Sequence, residues 1–478
     1  MDSKSLKLDG NGALFEQLAR ALKLAILDGR FVAGGRLPAT RTLAQTLGLS
    51  RNTVIGAYEL LCAEQLAFGH AGSCTRIAKG PRPPQTGRPR KTRPPSRYAA
   101  RARTLSPIAI PPLRASLRYD LQYGVPVMSA PAILAWRRKL AAAALRADPG
   151  YAPSCGLKSL RDAVCEYLAR RRGVVCTPES ILIVSGTQQA LTLTARVILD
   201  EGGTAVLEDP HYQFALHALL AHGARIVQTR TDHDGLVVSE LPARGVRLVC
   251  VTPSHQFPSG VVMSFARRVE LLEYAVKHDA WILEDDYDSE FRYADRPLPA
   301  LRSLDLADRV IYVGSFSKTL FPTLRLGYVA CPAPLRDDFF MAKRLDDLGC
   351  PAIEQAALAA FMQSRQFEKY LRKSTAELED RHAALVEGLR RHAGSHLELT
   401  NSQAGMHLVA WLRGADYVQL ERLIKLGATL GLGLHPIHPF YRKKPARPGL
   451  VLGFAGISVA RIREATELLG KCLREILD

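Results

Sequence analysis

The sequence predicts an α/β protein in which a small helical N-terminal domain is joined by a linker to a large domain with a mostly parallel sheet. Three observations support this fold class. Helical periodicity dominates residues 13–79, Pro and Arg dominate residues 80–118, and short β-branched runs alternate with amphipathic segments from residue 119 onwards. We therefore expect domains at 1–79 and 119–478, a linker at 80–118, and a smaller C-terminal lobe from about residue 350.

The composition is that of an ordinary globular protein, with 47% hydrophobic and 23% charged residues among 478. No apolar run approaches the roughly 20 residues that cross a bilayer, and the first residues lack the apolar core of a signal peptide. Nine cysteines without a CxxC pair predict neither a disulfide framework nor a zinc site. We expect a cytoplasmic protein without a metal site.

The positive charge is concentrated at the N-terminal end. The net charge is +18, and residues 1–118 contain 20 Lys or Arg against 6 Asp or Glu, whereas the rest of the chain is nearly balanced. A strongly basic N-terminal quarter on a near-neutral large domain points to a polyanionic partner, and double-stranded DNA is the usual one.

The N-terminal segment has the pattern of a winged helix-turn-helix. A periodic helix from residue 13 stops at Gly29, and two further helical segments follow, separated by Leu49. The turn-rich stretch AFGHAGSCTRIA then predicts a short strand pair, the wing. This order of elements is typical of a domain that places a helix in the major groove of DNA.

The predicted recognition helix begins Ser50-Arg51-Asn52-Thr53. Arg pairs with guanine and Asn with adenine, while the two hydroxyls reach a base or a phosphate. The helix N-terminus itself favours phosphate. Each residue alone is more often a solvated surface residue, but their joint occurrence favours DNA recognition.

Four further residues complete the expected DNA contacts. Arg36 and Arg41 precede the recognition helix and are expected to contact the DNA backbone from the start of the preceding helix. His70 and Gly72 fall in the predicted wing.

The predicted linker holds ten positive charges and no acidic residue. Such a composition cannot bury apolar surface, so we expect an extended segment. Its charges serve either to keep the segment solvated or to follow a phosphate backbone, and the sequence favours neither.

Five buried strands are predicted in the large domain, from the runs ILIVSG, AVLED, RLVCVTP, WILEDD and VIYVGS. Polar residues follow several of them, at the sheet edge where open α/β sheets bind ligands. Lys318 is the most informative, because a buried ammonium is costly unless it is used. One use is as the amine that forms a Schiff base with the aldehyde of pyridoxal 5′-phosphate.

That cofactor also needs an acid for its ring nitrogen, a phosphate cradle and a flat surface against its ring. Asp285 is the candidate acid, Tyr287 the candidate for the ring hydroxyl, and Tyr212 the candidate for ring packing. A strand, a Gly turn and a helix N-terminus form the first part of the cradle, and the segment around Lys318 forms the second. The candidate cradle residues are Gly186, Thr187, Gln188, Ser315, Ser317 and Arg325.

Taken singly, each candidate has an ordinary structural explanation. Asp285 could be one acid in an exposed turn, and Tyr212 could be a core residue. Their occurrence in order, at the ends of successive predicted strands, favours the cofactor site.

The motifs resemble known families. GGRLPATRTLAQTLGLSRNTVIGAYELL resembles the GntR type of winged helix domain, and SGTQQAL, EDPHY, TPSHQFPSG, EDDYDSEF and SFSKTLFPTLRLGY resemble fold-type I aminotransferases. Together they resemble a MocR-type transcriptional regulator, in which a pyridoxal phosphate domain controls a DNA-binding domain. The resemblance implies a Schiff base at Lys318, ring-nitrogen contact from Asp285, ring packing from Tyr212, and a head-to-tail homodimer.

The sequence departs from the enzymes at the positions that bind a substrate carboxylate. Val451 stands where aminotransferases carry an arginine, and Phe214 stands where some family members carry a second one. Phe257 replaces the expected asparagine at the ring hydroxyl, a role that His255 or Gln256 could take.

These departures argue against efficient transamination and suggest that pyridoxal phosphate itself is sensed, as in the family branch that controls vitamin B6 synthesis. An active aminotransferase and an amino-acid-responsive regulator remain the alternatives. The loop HPIHPF, with His435 and His438, predicts only a loop and not a metal site.

Overall fold

A computed structural model describes residues 6–69, 74–79, 93–106, 108, 117–127, 130–293 and 298–478. The chain separates into two compact units, Met1–Pro94 and Pro95–Asp478.

The first unit is a three-helix domain with a short hairpin. Its interior is formed by apolar residues of the first and third helices, among them Leu18, Leu22 and Val54. Gly48, with φ of 66°, ends the second helix in the left-handed conformation that glycine adopts most easily. The predicted winged helix-turn-helix is confirmed. Its elements are α1 Leu14–Leu27, α2 Thr40–Leu47, α3 Arg51–Ala63, β1 Ala67–Phe68 and β2 Arg76–Ile77.

The second unit begins with a helix, α4, at Arg97–Thr104. The helices that follow are α5 Ala130–Ala144, α6 Lys158–Arg172, α7 Thr187–Ile198, α8 Gln213–His222, α9 Phe265–Lys277, α10 Phe316–Thr319, α11 Arg336–Asp347, α12 Ala352–Met362, α13 Arg365–Ala393, α14 Tyr417–Thr429 and α15 Val459–Leu477. The strands are β3 Tyr119–Asp120, β4 Ile181–Val184, β5 Thr204–Asp209, β6 Arg225–Asp232, β7 Gly235–Leu236, β8 Val246–Val251, β9 Trp281–Asp286, β10 Val310–Ser315, β11 Gly327–Ala330, β12 Leu397–Leu399, β13 His407–Leu412, β14 Leu432–Gly433 and β15 Gly449–Gly453.

Eight strands form the large sheet, in the order β4-β11-β10-β9-β8-β5-β6-β7. The strands from β10 to β6 pair in parallel, and β11 runs antiparallel to both of its neighbours. The five predicted strands are β4, β5, β8, β9 and β10, so the predicted α/β fold class is confirmed. Because the parallel strands end at one edge, the residues that follow β5, β8, β9 and β10 lie at the same side of the sheet.

The smaller C-terminal lobe is built on the antiparallel sheet β12-β13-β15 and on α14 and α15. Leu358 and Phe361 of α12 pack in the core beside α6 and the large sheet, whereas Leu378 and Leu385 of α13 pack in the core of the lobe. The lobe core therefore starts within α13, later than the predicted boundary near residue 350.

The segment predicted as an extended linker contains α4. Ser96 caps this helix by accepting a hydrogen bond from the N–H of Ala99, and α4 buries none of its residues. Arg101 holds the helix against α8 by donating from Nε to the carbonyl of Ala221 at 3.0 Å and from Nη1 to Glu201 at 2.9 Å. The expectation of an extended chain is therefore wrong for 97–104, because polar contacts stabilise this helix where apolar burial does not.

None of the helices within the described ranges combines the length and apolar character needed to cross a membrane.

Candidate functional site

Lys318 lies just beyond the end of β10, in the short helix α10. Its side chain is largely buried, and Nζ donates a hydrogen bond to the carbonyl of Gly124 at 2.7 Å. Burial lowers the pKa of Lys318, although the nearby carboxylates of Asp288 and Asp285 partly offset the effect. A lowered pKa increases the fraction of neutral amine, which is the nucleophilic form.

Asp285 is the last residue but one of the neighbouring strand β9, where it pairs with Val313 of β10. Burial raises the pKa of Asp285 to about 7, with further contributions from Asp286 and Asp288. Its Oδ1 atom is buried and accepts no hydrogen bond from the described residues. A buried acceptor without a donor is costly, so this atom fits a ligand that brings an N–H group, such as a protonated pyridine nitrogen.

The candidate phosphate cradle lies at the N-terminus of α7. Gly186 precedes this helix with φ of 78°, and a Cβ atom there would lie 3.2 Å from Nη2 of Arg325. Arg325 is itself left-handed, with φ of 52°, and donates to the carbonyl of Ser185 at 2.8 Å. The Oε1 atom of Gln188, in the first turn, is buried without a partner in the described part of the chain. A cationic side chain and a helix N-terminus thus meet at Gly186, an arrangement that suits a phosphate.

The remaining cradle candidates lie close to these groups in the chain. Thr187 is the first residue of α7. Ser315 caps α10 by accepting a hydrogen bond from the N–H of Ser317 at 3.1 Å. Phosphate contact by these residues stays a prediction.

Tyr212 and Asp285 line one small cavity of about 20 Å³, together with Glu208 and Thr252. Tyr212 precedes α8, and its ring packs edge-on against Phe257 with a centroid distance of 5.8 Å. The predicted ring-packing residue and the predicted ring-nitrogen acid therefore line the same small cavity.

The residues expected near the ring hydroxyl, Tyr287, His255 and Gln256, differ in their hydrogen bonds. The Tyr287 hydroxyl lies 3.0 Å from Nδ1 of His255, and the same nitrogen lies 3.0 Å from Asp288. Gln256 donates to the carbonyls of Pro210 and Phe257, both at 2.8 Å, and its oxygen accepts from Ser259. Gln256 therefore bonds mainly to neighbouring backbone and to Ser259, and its contact with the ring hydroxyl stays a prediction.

His255, Asp288 and His407 form a buried group whose potential metal-ligating atoms lie within 4.8 Å of one another. This group could not be predicted from the sequence, because His407 lies more than a hundred residues from the other two. Burial lowers the pKa of His407 to about 3, and its Nε2 lies 3.1 Å from the carbonyl of Pro258. His255 already bonds to Asp288, and His407 bonds to a backbone carbonyl. We therefore infer that this group positions the hydroxyl of Tyr287, which contacts His255.

Val451 and Phe214, which stand where family members carry a carboxylate-binding arginine, both have apolar surroundings in the structure. Val451 is fully buried in β15 and packs with Val409 and Ile437. The ring of Phe214 lies 5.5 Å from that of Tyr212. Arg442, in the basic loop that follows Phe440, is exposed.

A second, larger cavity of about 270 Å³ opens near the same site, and we call it the His435 cavity. Sequence reasoning missed it, because its lining comes from four distant segments. His435 was expected only in a loop, yet its Nε2 lies 2.8 Å from Oδ1 of Asp120. The lining includes Ser106, Ile108, Tyr123, Gln213, His217 and His435.

In the first unit, Arg51 and Asn52 are exposed at the N-terminus of α3. Ser50 caps α3 by accepting a hydrogen bond from the N–H of Thr53 at 3.1 Å, and the two hydroxyls lie 2.7 Å apart. Ser50 and Thr53 therefore stabilise the helix start, and their contact with DNA stays a prediction.

The other predicted DNA contacts differ in position. Arg41 lies exposed in the first turn of α2. Arg36 precedes α2 by four residues, and its backbone forms an isolated antiparallel β-bridge with Arg76 of β2. It is therefore not in the helix as expected. His70 and Gly72 lie outside the described residues.

Two family models match the chain. The family described as "Bacterial regulatory proteins, gntR family" matches residues 14–77, and "Aminotransferase class I and II" matches residues 124–464. The predicted cofactor, pyridoxal 5′-phosphate, is confirmed by this second match and by the likeness to PMP-bound aminotransferase structures.

Among curated proteins, the chain is 36% identical to the probable rhizopine catabolism regulatory protein MocR of Rhizobium meliloti, over 97% of this chain and 94% of that protein. It is 30% identical to the pyridoxine biosynthesis transcriptional regulator PdxR of Corynebacterium glutamicum, over 92% and 91%. Among solved structures, it is similar to the kynurenine aminotransferase of Pyrococcus horikoshii in complex with PMP. That likeness has a TM-score of 0.69 and 26% identity and covers 76% of this chain and 92% of that chain.

Proposed function

The chain belongs to the MocR-type family of transcriptional regulators, and from that premise we propose that it senses pyridoxal phosphate itself and reports the occupancy of Lys318 to DNA. A GntR-type domain fused to an aminotransferase-like domain is a pyridoxal phosphate-dependent regulator. Which molecule it senses, and which DNA it binds, is the part that we propose.

The observation that carries this proposal is the contrast between the two halves of the site. Lys318 is a largely buried amine with a lowered pKa, and Asp285 keeps a buried oxygen without a donor from the described residues. Where an enzyme would bind a substrate carboxylate, Val451 and Phe214 are apolar. A site that is built for the cofactor and lacks a clamp for an amino acid fits a cofactor sensor better than a transaminase. We expect half-transamination to be weak at most.

The bound cofactor supplies an aldehyde for the amine and an electron-poor ring. The chain supplies the rest. Lys318 offers a neutral amine, Asp285 would accept a hydrogen bond from the protonated ring nitrogen, and Tyr212 would cover the ring. Arg325 and the start of α7 provide positive potential for the phosphate. The likeness to PdxR, named as a regulator of pyridoxine biosynthesis, agrees with a sensor of this cofactor.

We infer that α4 connects the cofactor site to the DNA-binding domain. Ser106 and Ile108 follow α4 directly and line the His435 cavity beside Tyr123. Tyr123 precedes Gly124, whose carbonyl accepts the hydrogen bond from Lys318. A change at Lys318 therefore has a short path of contacts to the segment that leads back to the first unit.

In the first unit, Arg51 and Asn52 are the side chains that we assign to DNA bases, and Arg41 is assigned to the DNA backbone. A homodimer, with the head-to-tail arrangement expected for the family, would present two such helices to a symmetric operator. A transcriptional regulator must reach chromosomal DNA, which agrees with the expected cytoplasmic location.

The test is a footprint and gel-shift titration on the DNA upstream of the protein's own gene, at fixed salt, with cofactor-loaded and cofactor-free protein. We expect the affinity to change between about 5- and 150-fold on loading, the usual range of coupling between two sites. Lys318→Ala should bind DNA with one affinity whether or not the cofactor is supplied. An affinity that ignores the cofactor but responds to an amino acid would overturn the proposal.

A further inference from the structure

Cys165 and Cys176 bring their sulfur atoms close together in the second unit. Cys165 lies in α6, Cys176 lies in the loop that joins α6 to β4, and the two Sγ atoms are 3.5 Å apart. Both residues are partly exposed, and all nine cysteines of the chain are free thiols in the structure. The ten residues between the two cysteines hide the pair in the sequence, where it forms no CxxC motif.

The position of the two sulfurs suits a disulfide. A sulfur–sulfur bond is about 2.05 Å long, so the two atoms need to approach each other by only about 1.5 Å. Gly173, with φ of 66°, ends α6, and the chain then returns toward Cys165. Cys176 lies outside helix and strand, between Gly173 and the short helix Pro178–Ser180, so this part of the chain can adjust to the new bond.

The two thiols differ in reactivity. Contact with the Cys165 thiol lowers the pKa of Cys176, burial opposes this effect, and the nearby guanidinium of Arg302 lowers the pKa further. The pKa of Cys165 is raised by the same contact, by burial and by the carboxylates of Asp162 and Glu179. Cys176 is therefore the sulfur that reaches the thiolate form more easily, and the thiolate is the form that reacts with oxidants.

The pair lies away from the cofactor site. Cys176 precedes the amino end of β4, whereas Gly186 and the candidate phosphate cradle follow its carboxyl end. The segment between the two cysteines contains Arg172, whose buried guanidinium pairs with Asp286 of β9 at 2.7 Å. A disulfide would close this segment into a loop that carries one partner of the buried ion pair, and it would occupy no part of the cofactor site.

We propose that Cys165 and Cys176 form a redox modification site, at which hydrogen peroxide converts the two thiols into a reversible disulfide within one chain. Cys176 is the sulfur that reacts with the peroxide, and Cys165 is the thiol that resolves the product. Where the surroundings are reducing, such a disulfide forms only during oxidation and is then reduced again. The proposal does not depend on which molecule the cofactor site senses.

The chemistry proceeds in two steps. The Cys176 thiolate attacks one oxygen of the peroxide, so that an S–O bond forms, the O–O bond breaks, and the other oxygen leaves as water after taking up a proton. The Cys165 sulfur then attacks the sulfur of Cys176, so that an S–S bond forms, the S–O bond breaks, and the oxygen leaves as a second water with the proton of Cys165. The two sulfurs together lose two electrons, which reduce the peroxide, and a dithiol reductant reverses the change.

The experiment is peptide mapping of the full-length, cofactor-loaded protein after brief treatment with hydrogen peroxide and blocking of the remaining thiols with N-ethylmaleimide. Trypsin cleaves after arginine, so the two cysteines fall in separate peptides, 162–170 and 173–196. We expect these peptides to be joined with the loss of two hydrogen atoms, and to separate again after dithiothreitol. The two thiols should be lost at least about tenfold faster than that of Cys62, which is also partly exposed.

Three results would overturn the proposal. The first is that both thiols remain open to alkylation after peroxide treatment. The second is that the thiol of Cys62 is lost as fast as those of the pair. The third is that the bond joins two chains, which a non-reducing gel would show as a species of twice the mass of the chain.

Serine variants assign the two roles. In Cys165→Ser the resolving thiol is absent, so the sulfenic acid of Cys176 should persist and be trapped by dimedone at least about tenfold more than in Cys176→Ser. Cys62→Ser is the matched control, and it should form the linked peptides within about twofold of the wild-type rate. Equal trapping in the two variants of the pair would refute the roles. If either variant fails to fold, the wild-type peptide map decides the proposal without it.

Discussion

Replacing Arg101 with alanine should loosen α4 from the aminotransferase-like domain and weaken the effect of the cofactor on DNA binding. Arg101 helps to hold this eight-residue helix by donating to Glu201 and to the carbonyl of Ala221, beside the edge-on contact of Tyr98 with His222. Helices this short are not stable alone in water, so a detached α4 also unfolds.

The size of the effect follows from these contacts. The Arg101 side chain is 30% exposed and that of Glu201 is 53% exposed, so the ion pair contributes about 0.5–1 kcal/mol. The hydrogen bond to the Ala221 carbonyl adds about 1 kcal/mol. A total of about 1.5–2 kcal/mol corresponds to a rise of roughly ten- to thirtyfold in the detached fraction, since about 1.4 kcal/mol is a factor of ten.

Hydrogen exchange measured by mass spectrometry reports this fraction directly. Amides of residues 97–104 should exchange roughly ten- to thirtyfold faster in Arg101→Ala, while those of the large sheet are unchanged. The ratio of DNA affinities with and without cofactor should fall toward one. Arg97→Ala is the matched control, because Arg97 is 83% exposed and reaches Glu201 only at 3.4 Å.

Two results would refute this reasoning. Unchanged exchange in 97–104 would mean that Arg101 does not hold the helix. Faster exchange combined with a full cofactor effect on DNA would mean that α4 does not carry the signal.

Three further predictions concern separate parts of the molecule. Arg51→Ala should weaken operator binding by roughly 1–3 kcal/mol in a salt-controlled gel shift, because an exposed guanidinium at the recognition helix is lost. Asp288→Asn should let Lys318 capture the cofactor at lower pH in stopped-flow absorbance, because the Asp288 charge raises the pKa of that amine and capture needs its neutral form. Arg172→Met should destabilise the second unit by about 3–5 kcal/mol, because it leaves Asp286 buried without its 2.7 Å partner; urea unfolding followed by tryptophan fluorescence measures this, since all three tryptophans lie beyond residue 95.

Each of these has a control variant in the same unit of the chain. Lys23→Ala should leave operator affinity unchanged, because Lys23 already pairs with Glu64. Asp416→Asn, at an exposed helix start, should leave the pH of cofactor capture where it is. Arg170→Met, whose side chain is 58% exposed, should change stability by no more than about 0.5 kcal/mol. Equal effects of a variant and its control would contradict the corresponding prediction.

The sequence was sufficient for the sheet and for the residues at its edge. Runs of β-branched residues identified β4, β5, β8, β9 and β10, and the parallel pairing of the last four then brings their ends together. Lys318 and Asp285 could be matched because Asp285 lies at the end of buried strand β9 and Lys318 lies shortly after buried strand β10. The strands β6 and β11 were missed, since β6 is mostly half-exposed and polar and β11 is only four residues long.

What the sequence could not supply are contacts between distant segments. The stability of α4 depends on Glu201 and Ala221, about a hundred residues away, while its own composition predicts an extended chain. The pairing of His435 with Asp120 spans 315 residues, so a loop histidine could not be recognised as part of a cavity. Local periodicity carries no information of this kind.

The contacts around Lys318 explain how a covalent bond formed at its Nζ could affect α4 in the linker without a large movement. Nζ of Lys318 donates to the carbonyl of Gly124, so this amine helps to hold the turn that includes Tyr123. Any group attached at Nζ uses hydrogens that the amine offered to Gly124, and this carbonyl must then find another donor. The adjacent Tyr123 shares the His435 cavity with Ser106 and Ile108, which continue from α4.

Because α4 is held by polar contacts and has no buried apolar face, a shift worth about 1–2 kcal/mol is enough to change how often it is docked. A helix with a large apolar interface would not respond to so small a change, so the weak anchoring of α4 is the property that makes it suitable for signalling.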